Sequence, residues 1–491
     1  METCGLSGPY ICLSHCWGGS STILCTKETY GSYKNNIPWT SLPLLFRNTI
    51  EICRMLEVQY LWIDKLCIIQ HDTDDWASEG SRMAHIFEGS FLTIGATMSK
   101  NDTKPLYFKD ERYDPSSKSY TGRMEDGTSY TVYFRIPSNY HPADGPKPDH
   151  EEYPLMTRAW IYQERLLAPR ILYFGEELSW ECREASACEC SDVRPGMKYD
   201  HSLSLMPDCP IEKRHWQWQR MVEEFTWLQL SYEEDRLPAF SGLAQQYQNR
   251  LKSEYLAGLW RENLGADLLW FAYPELGSEA QRYYTKKPVK WRAPSWSWAS
   301  LEGPILFSKN YHVAKAEAGA ESATCWVDII SAECIPSSLD PMGSVAKGRL
   351  VIKGGGRPAL LNHRQVCSGR YTRHFSVTRS NVRSIYIRSN FTVEGQEANV
   401  DYDLIEQGLM KPNSVMSIYC LYIAGTPFTQ RTFRSRQGDY ISCLAYRTWA
   451  LLLHCVDGKN FERIGLLVSE HFNRSEVHLR NSLKQCIITI I

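Results

Sequence analysis

The stretch YLWIDKLCIIQHDTDDWASEGSRMAHIFEGSFLTIGAT, residues 60–97, changes its hydrophobic period twice. YLWID, at its start, is a short apolar run of strand type. Further on, Trp76, Met83, Ile86 and Phe87 recur at helical spacing on one side. FLTIGAT, residues 91–97, returns to a compact strand-like run. Upstream, YICLS (residues 10–14) reads as a buried strand. LPLLFRNTIEICRMLEV follows, with Leu45, Thr49, Ile52, Cys53 and Leu56 at helical spacing. Strand, helix, strand, helix, strand is the order of an α/β fold, a parallel sheet covered by helices. Its crossovers are expected to be right-handed.

Beyond residue 100 the pattern loosens. Residues 100–153 are polar and rich in Pro, Gly, Asp, Lys and Tyr, with a hairpin expected around GTSYTVYFRI. MTRAWIYQERLLAP reads as a short helix stopped by Pro169, and RILYFGEELSWEC as two strands joined at Gly175, Glu176 and Glu177. A first domain is expected over residues 1–195, and a helical region over 196–290 that includes YLAGLWRENLGADLLWF. From APSWSWASLEGPI onward short β-prone runs alternate with turns, so 291–491 is expected to be β-rich, with PSWSWAS as an aromatic packing ridge.

Composition narrows the function classes. A chain of 491 residues usually needs two or three domains. Hydrophobic residues make up 43% and charged residues 22%, ordinary for a globular protein. Lys plus Arg number 54 against 56 for Asp plus Glu, which gives no electrostatic case for nucleic acid as a main partner. No apolar stretch reaches the length of a membrane span, and no basic region followed by an apolar one marks a secretory signal. The 17 scattered cysteines then read as reduced thiols, which points to the cytoplasm. Cys182, Cys188, Cys190 and Cys209 are separated by five, one and eighteen residues, without the paired spacing of a zinc site, so no metal is expected.

The chemistry-bearing residues gather at strand ends. Open parallel sheets bind ligands beyond the carboxyl ends of their strands. Ser14 and His15 close the first strand, Asp64 the second, and Gly18 and Gly19 allow a sharp turn or a close backbone approach. Asp74 or Asp75 is expected to cap the following helix. Glu79, three residues after Trp76 and four before Met83, then lies beside that helix's apolar face, where a carboxylate must be paired, raised in pKa or used. In RAWIYQER, Trp160, Gln163 and Leu167 share a side and Glu164 is adjacent. Arg158, Gln163 and Glu164 can serve either a polar ligand or internal bracing.

YICLSHCWGG, the 60–97 stretch and RAWIYQERLLAPRILYFGEELSWEC together resemble the fungal heterokaryon-incompatibility (HET) domain over roughly the first 190 residues. DRLPAFSGLAQQY, YLAGLW and APSWSWAS resemble segments that follow that domain in fungal members. Three departures stand out. Lys65 occupies a position that is usually small, Ala159 replaces a frequent Gly, and the first motif lies very near the start of the chain.

The resemblance implies a role in non-self recognition and programmed death of fused cells. It also implies a fold remotely similar to the flavodoxin-like TIR domains, some of which cleave NAD at the nicotinamide–ribose bond. Their catalytic glutamate lies in a W-x-x-E helix, matched here by Trp76-Ala77-Ser78-Glu79. On that implication Glu79 is catalytic, Ser14, His15 and Asp64 meet the ribose or phosphates, and Trp17 packs on a ring. NAD is then a substrate, and no cofactor is needed. A rival reading makes the same residues braces in a non-catalytic module that self-associates through the N-terminal domain or docks a protein partner. A further rival is a cysteine hydrolase, with Cys67 as nucleophile and His15 as base.

Overall fold

The computed structural model describes residues 7–19, 23–107, 119–133, 140–145, 151–190, 193–194, 201–202, 204–273, 285–308, 324–363, 391–393, 396–401, 407–411, 414–434, 440–472 and 476–491. The chain divides into two compact units. Unit 1 comprises 1–214, 228–251 and 338–343, and unit 2 comprises 215–227, 252–337 and 344–491. Among the described residues no helix is long and apolar enough to cross a membrane.

Unit 1 begins with β1 (Tyr10–Ser14), α1 (Lys27–Asn35), α2 (Leu44–Met55), β2 (Tyr60–Trp62), α3 (Asp64–Cys67), α4 (Thr73–Glu88) and β3 (Leu92–Ala96). It continues with β4 (Ser119–Arg123), β5 (Ser129–Tyr133), α5 (Trp160–Leu167), β6 (Arg170–Phe174), β7 (Leu178–Cys182), β8 (Ser186–Cys188) and β9 (Val193–Arg194). The main sheet runs β2-β1-β3-β6-β7-β8-β9. Its first four strands are parallel, with Cys12 level with Trp62 and Thr93, and Thr93 level with Ile171. From β6 onward each pairing is antiparallel. The unit is thus mixed α/β, with a parallel half extended by a meander.

Both faces of the parallel half are covered, which is why β1 reads as a continuous apolar run. Ile11, Leu13, Ile94 and Ala96 join Leu45, Phe46 and Cys53 of α2 in one core. Ile171 and Tyr173 join Ile161, Tyr153 and Met156 in another. The expected strands and helices of residues 10–97 are present, with two corrections. Asp64 does not end β2 but opens the single turn α3. Asp72, not Asp74 or Asp75, caps α4, accepting from the Asp74 and Asp75 amides, while the Asp75 carboxylate turns back to the Ile69 amide at 2.7 Å. The hairpin pairs β4 with β5 around a turn at Gly127, so it uses only the front of GTSYTVYFRI; residues 134–136 lie outside the described residues.

The bulk of α6 (Ile211–Thr226) belongs to unit 2, and α7 (Pro238–Leu251) to unit 1. In unit 2, YLAGLWRENLGADLLWF departs from the expected helix. It forms the hairpin β10 (Tyr255–Leu256) and β11 (Leu259–Trp260), the single turn α8 (Leu264–Asp267) and the strand β12 (Trp270–Ala272). Ala257 and Gly258 both have positive φ, 47° and 97°, the signature of a tight two-residue turn. A Cβ on Gly258 would meet the Trp298 indole at 2.4 Å, so glycine is required. The Trp218 and Trp298 indoles both donate to the Gly258 carbonyl at 3.0 Å. PSWSWAS is therefore a packing ridge that clamps this hairpin, and Trp296 and Trp298 are fully buried.

The rest of unit 2 is β-rich. After β13 (Ile305–Phe307) come β14 (Thr324–Cys325), β15 (Val327–Pro336), β16 (Val345–His363), β17 (Phe391–Val393) and β18 (Gln396–Val400). They are followed by β19 (Val415–Arg434), β20 (Tyr440–Cys455), β21 (Asn460–Phe472), α9 (Glu476–Asn481) and β22 (Lys484–Ile490). β16 pairs with β19, β19 with β20, β20 with β21, β21 with β22, and β22 with β16. The pairings close into a ring, which removes free edges from these strands.

Candidate functional site

In the order β2-β1-β3 the chain switches sides of β1, and such a switch point opens a crevice at the carboxyl ends of the strands. Ser14 is the last residue of β1, and its hydroxyl donates to Oε2 of Glu164 on α5. Both side chains are buried. Burial pushes the Glu164 carboxyl up from the usual 4.5 to about 7, against the pull of the Ser14 hydroxyl and the Arg158 charge. Glu164 can therefore hold or release a proton near neutral pH.

His15 follows at the strand exit, edge-on to the Phe46 ring. It is 3% exposed, and neither ring nitrogen has a hydrogen-bond partner among the described residues. Its Nδ1 lies 3.7 Å from Oδ1 of Asp64. Burial drops its pKa from 6.5 to about 4 despite that carboxylate, so the imidazole is neutral at pH 7. A buried imidazole without partners carries an unmet desolvation cost that a bound polar group would relieve. Arg158 donates to the His15 carbonyl and fixes the backbone there.

Trp17 and Asp64 form the solvent side. The indole donates to Oδ2 of Asp64 at 2.6 Å, and Oδ1 accepts from the Lys65 amide at 2.7 Å. Gly18, with φ +68°, lies against Asn101, where a Cβ would come within 2.3 Å of the Asn101 Cβ. The close approach expected of this glycine is thus to its own chain. Gly19 is exposed with open space around it. Lys65 is wholly buried, and its Nζ donates to Asp102 at 2.7 Å and to the Trp17 carbonyl at 3.1 Å.

Of the residues expected from sequence, Ser14, His15, Trp17, Gly18, Asp64, Arg158 and Glu164 come together. Gln163 turns away, its Oε1 accepting from the Gly242 amide at 3.2 Å and bracing α5 to α7. Trp76 is exposed on α4, and Glu79 pairs with Arg82 on the same helix at 2.7 Å. Among the described residues neither bonds to the cluster around Ser14. Cys67 is exposed, and neither His15 nitrogen has a hydrogen-bond partner among the described residues, so the Cys67–His15 hydrolase finds no support. Asp102 and the role of Lys65 were missed. A lysine inside the apolar run WIDKLCII needs a buried partner, but nothing in the polar excursion singles out Asp102 as that partner.

Residues 10–164 match the family described as Heterokaryon incompatibility protein (HET). This segment is similar to a HET domain. The match starts at the first residue of β1 and ends on Glu164, so its limits fall on the two elements joined by the Ser14–Glu164 hydrogen bond. No curated protein and no solved structure matches the chain.

Proposed function

We propose that the HET domain serves a cell-death response in non-self recognition by hydrolysing NAD at the nicotinamide–ribose bond, at the rim built from the exits of β1 and β2 and from α5. The observation that carries this reading is the buried Ser14–Glu164 pair beside a neutral, partnerless His15 at the switch point. The strand order β2-β1-β3-β6, all parallel, supports kinship with flavodoxin-like and TIR sheets. In the reaction the C1′–N bond breaks and its electron pair leaves with neutral nicotinamide. The oxocarbenium-like ribose is stabilised by a carboxylate, and water adds at C1′ while giving its proton to a base. Glu164, with a carboxyl near 7, fits both tasks better than Glu79, which is engaged by Arg82. Trp17 supplies a half-buried ring face, and Asp64 an acceptor for ribose hydroxyls.

The near-complete burial of Ser14 and His15 favours a second reading, in which the cluster is a brace and the domain acts by self-association. The full chain incubated with NAD, with products separated by chromatography, decides between them. Turnover abolished by Glu164→Gln and kept by Glu79→Gln supports the rim carboxylate. The reverse pattern moves the chemistry to the W-x-x-E helix. No turnover, together with concentration-dependent association, selects the second reading.

A further inference from the structure

Outside the rim, a second group of side chains converges at the end of the antiparallel meander. β7 and β8 pair with Ser179 level with Cys188, and the Glu189 amide continues the ladder to the Leu178 carbonyl at 3.1 Å. Residues two apart on a strand share a face. Cys188 and Cys190 therefore point the same way, and continuation of the register sets Glu177 across from Cys190. The Cys188 thiol lies 2.9 Å from Oε2 of Glu177. His141, from the start of a turn at Pro142–Asp144, brings its Nε2 to 3.9 Å from the Cys190 sulfur and its Nδ1 to 3.8 Å from Glu177. One ligand atom from each of the four residues lies within 4.8 Å of the others. His141 Nδ1 is buried and has no hydrogen-bond partner among the described residues.

We propose that His141, Glu177, Cys188 and Cys190 form a binding site for a zinc-type divalent cation. Two sulfurs, one imidazole and one carboxylate make a mixed S/N/O donor set suited to zinc, and four protein ligands make a closed, structural site. The cysteines alone lacked paired spacing. The missing donors come from the turn before α5 and the loop before β7, which only the fold brings to them. On binding, the two thiols each lose a proton to solvent, and three anionic donors then face the dication. The ion would pin the 140–145 turn to the meander. That turn already accepts from the buried Arg165 at the Ala143 carbonyl, 2.9 Å away.

The test is the metal content of the full chain purified under reducing conditions, with Co2+ exchange as a spectroscopic probe. The expected result is stoichiometric zinc, a thiolate-to-cobalt charge-transfer band after exchange, and a lower thermal midpoint after chelation. Cys190→Ser should weaken the band, and His141→Gln should alter it while leaving both thiols in place. A folded, reduced chain that takes up neither zinc nor cobalt overturns the proposal. So does cobalt bound without a thiolate band, or zinc content unchanged in a Cys188→Ser, Cys190→Ser double variant. A Cys188–Cys190 disulfide found in the purified chain also overturns it.

Discussion

Unit 1 contains two buried polar groups on either side of the same helix residue pair, Glu164 and Arg165, and they are built differently. Arg165 donates from Nε and Nη2 to both oxygens of Glu181, at 2.8 and 2.9 Å, and again to the Ala143 carbonyl. Tyr173 adds a third hydrogen bond to Glu181 at 2.8 Å. The charges are paired and their donors and acceptors are occupied. Next door, Glu164 rests on one serine hydroxyl, and His15 has no partner for either nitrogen among the described residues. Full satisfaction is what a brace requires, because a buried charge without partners costs several kcal/mol. A group left short of partners fits a place that something else completes. The contrast sets a densely hydrogen-bonded ion pair beside a sparsely bonded carboxyl on one helix.

The largest effect should come from breaking the satisfied side. Arg165→Met leaves Glu181 charged and unpaired, and should cost about 3–5 kcal/mol in denaturant unfolding. Adding Glu181→Leu should recover much of that loss. A single-variant cost below about 1 kcal/mol would remove the contrast.

Next comes Lys65→Met, which strands Asp102 in the interior and frees the Trp17 carbonyl. A loss of about 3 kcal/mol is expected, with Trp17 fluorescence shifting toward that of a solvated indole. Unchanged stability would mean that the Lys65–Asp102 pair does not hold the Trp17 loop.

The smallest effect is a pH slope at the underfilled side. The Glu164 carboxyl titrates near 7 when folded and near 4.5 when unfolded. Stability is therefore lost as pH rises across that window, by at most roughly 3 kcal/mol. Glu164→Gln should remove that loss, gaining on the parent as pH rises from 4.5 to 7. His15 acts with the opposite sign. Its folded pKa of about 4 lies below the usual 6.5, so its contribution is lost as pH falls between those values. His15→Phe should flatten the acid limb. Unfolding free energies measured across this range check both slopes, and the absence of either would place the group in water.

Much of this arrangement could be read from the residues. β1, β2 and β3 announce themselves as compact apolar runs, and α2 and α4 as helical periodicities, because each buries a face that nothing else can hide. The meeting of Ser14, His15 and Asp64 was legible because segments leaving the strands of a parallel sheet converge on one rim, although Asp64 lies in the turn after β2 rather than on it. Glu164 was legible only as an ambiguous member of a polar helix face. Asp102 and His141 were not, since each sits in a loop without periodicity and gains its role through a distant partner. The hairpin at Tyr255 misled because LAGLW alternates too briefly to tell from a helix, and only the positive φ at Ala257 and Gly258 decides it.

Among the described residues, the main sheet of unit 1 stops at both sides on stubs: β2 spans three residues and β9 two. So few free amides and carbonyls offer a poor template for a neighbouring chain. If copies of this domain gather, runaway fibre growth by strand addition is discouraged from the outset, and the contact is left to side chains on the covering helices and loops.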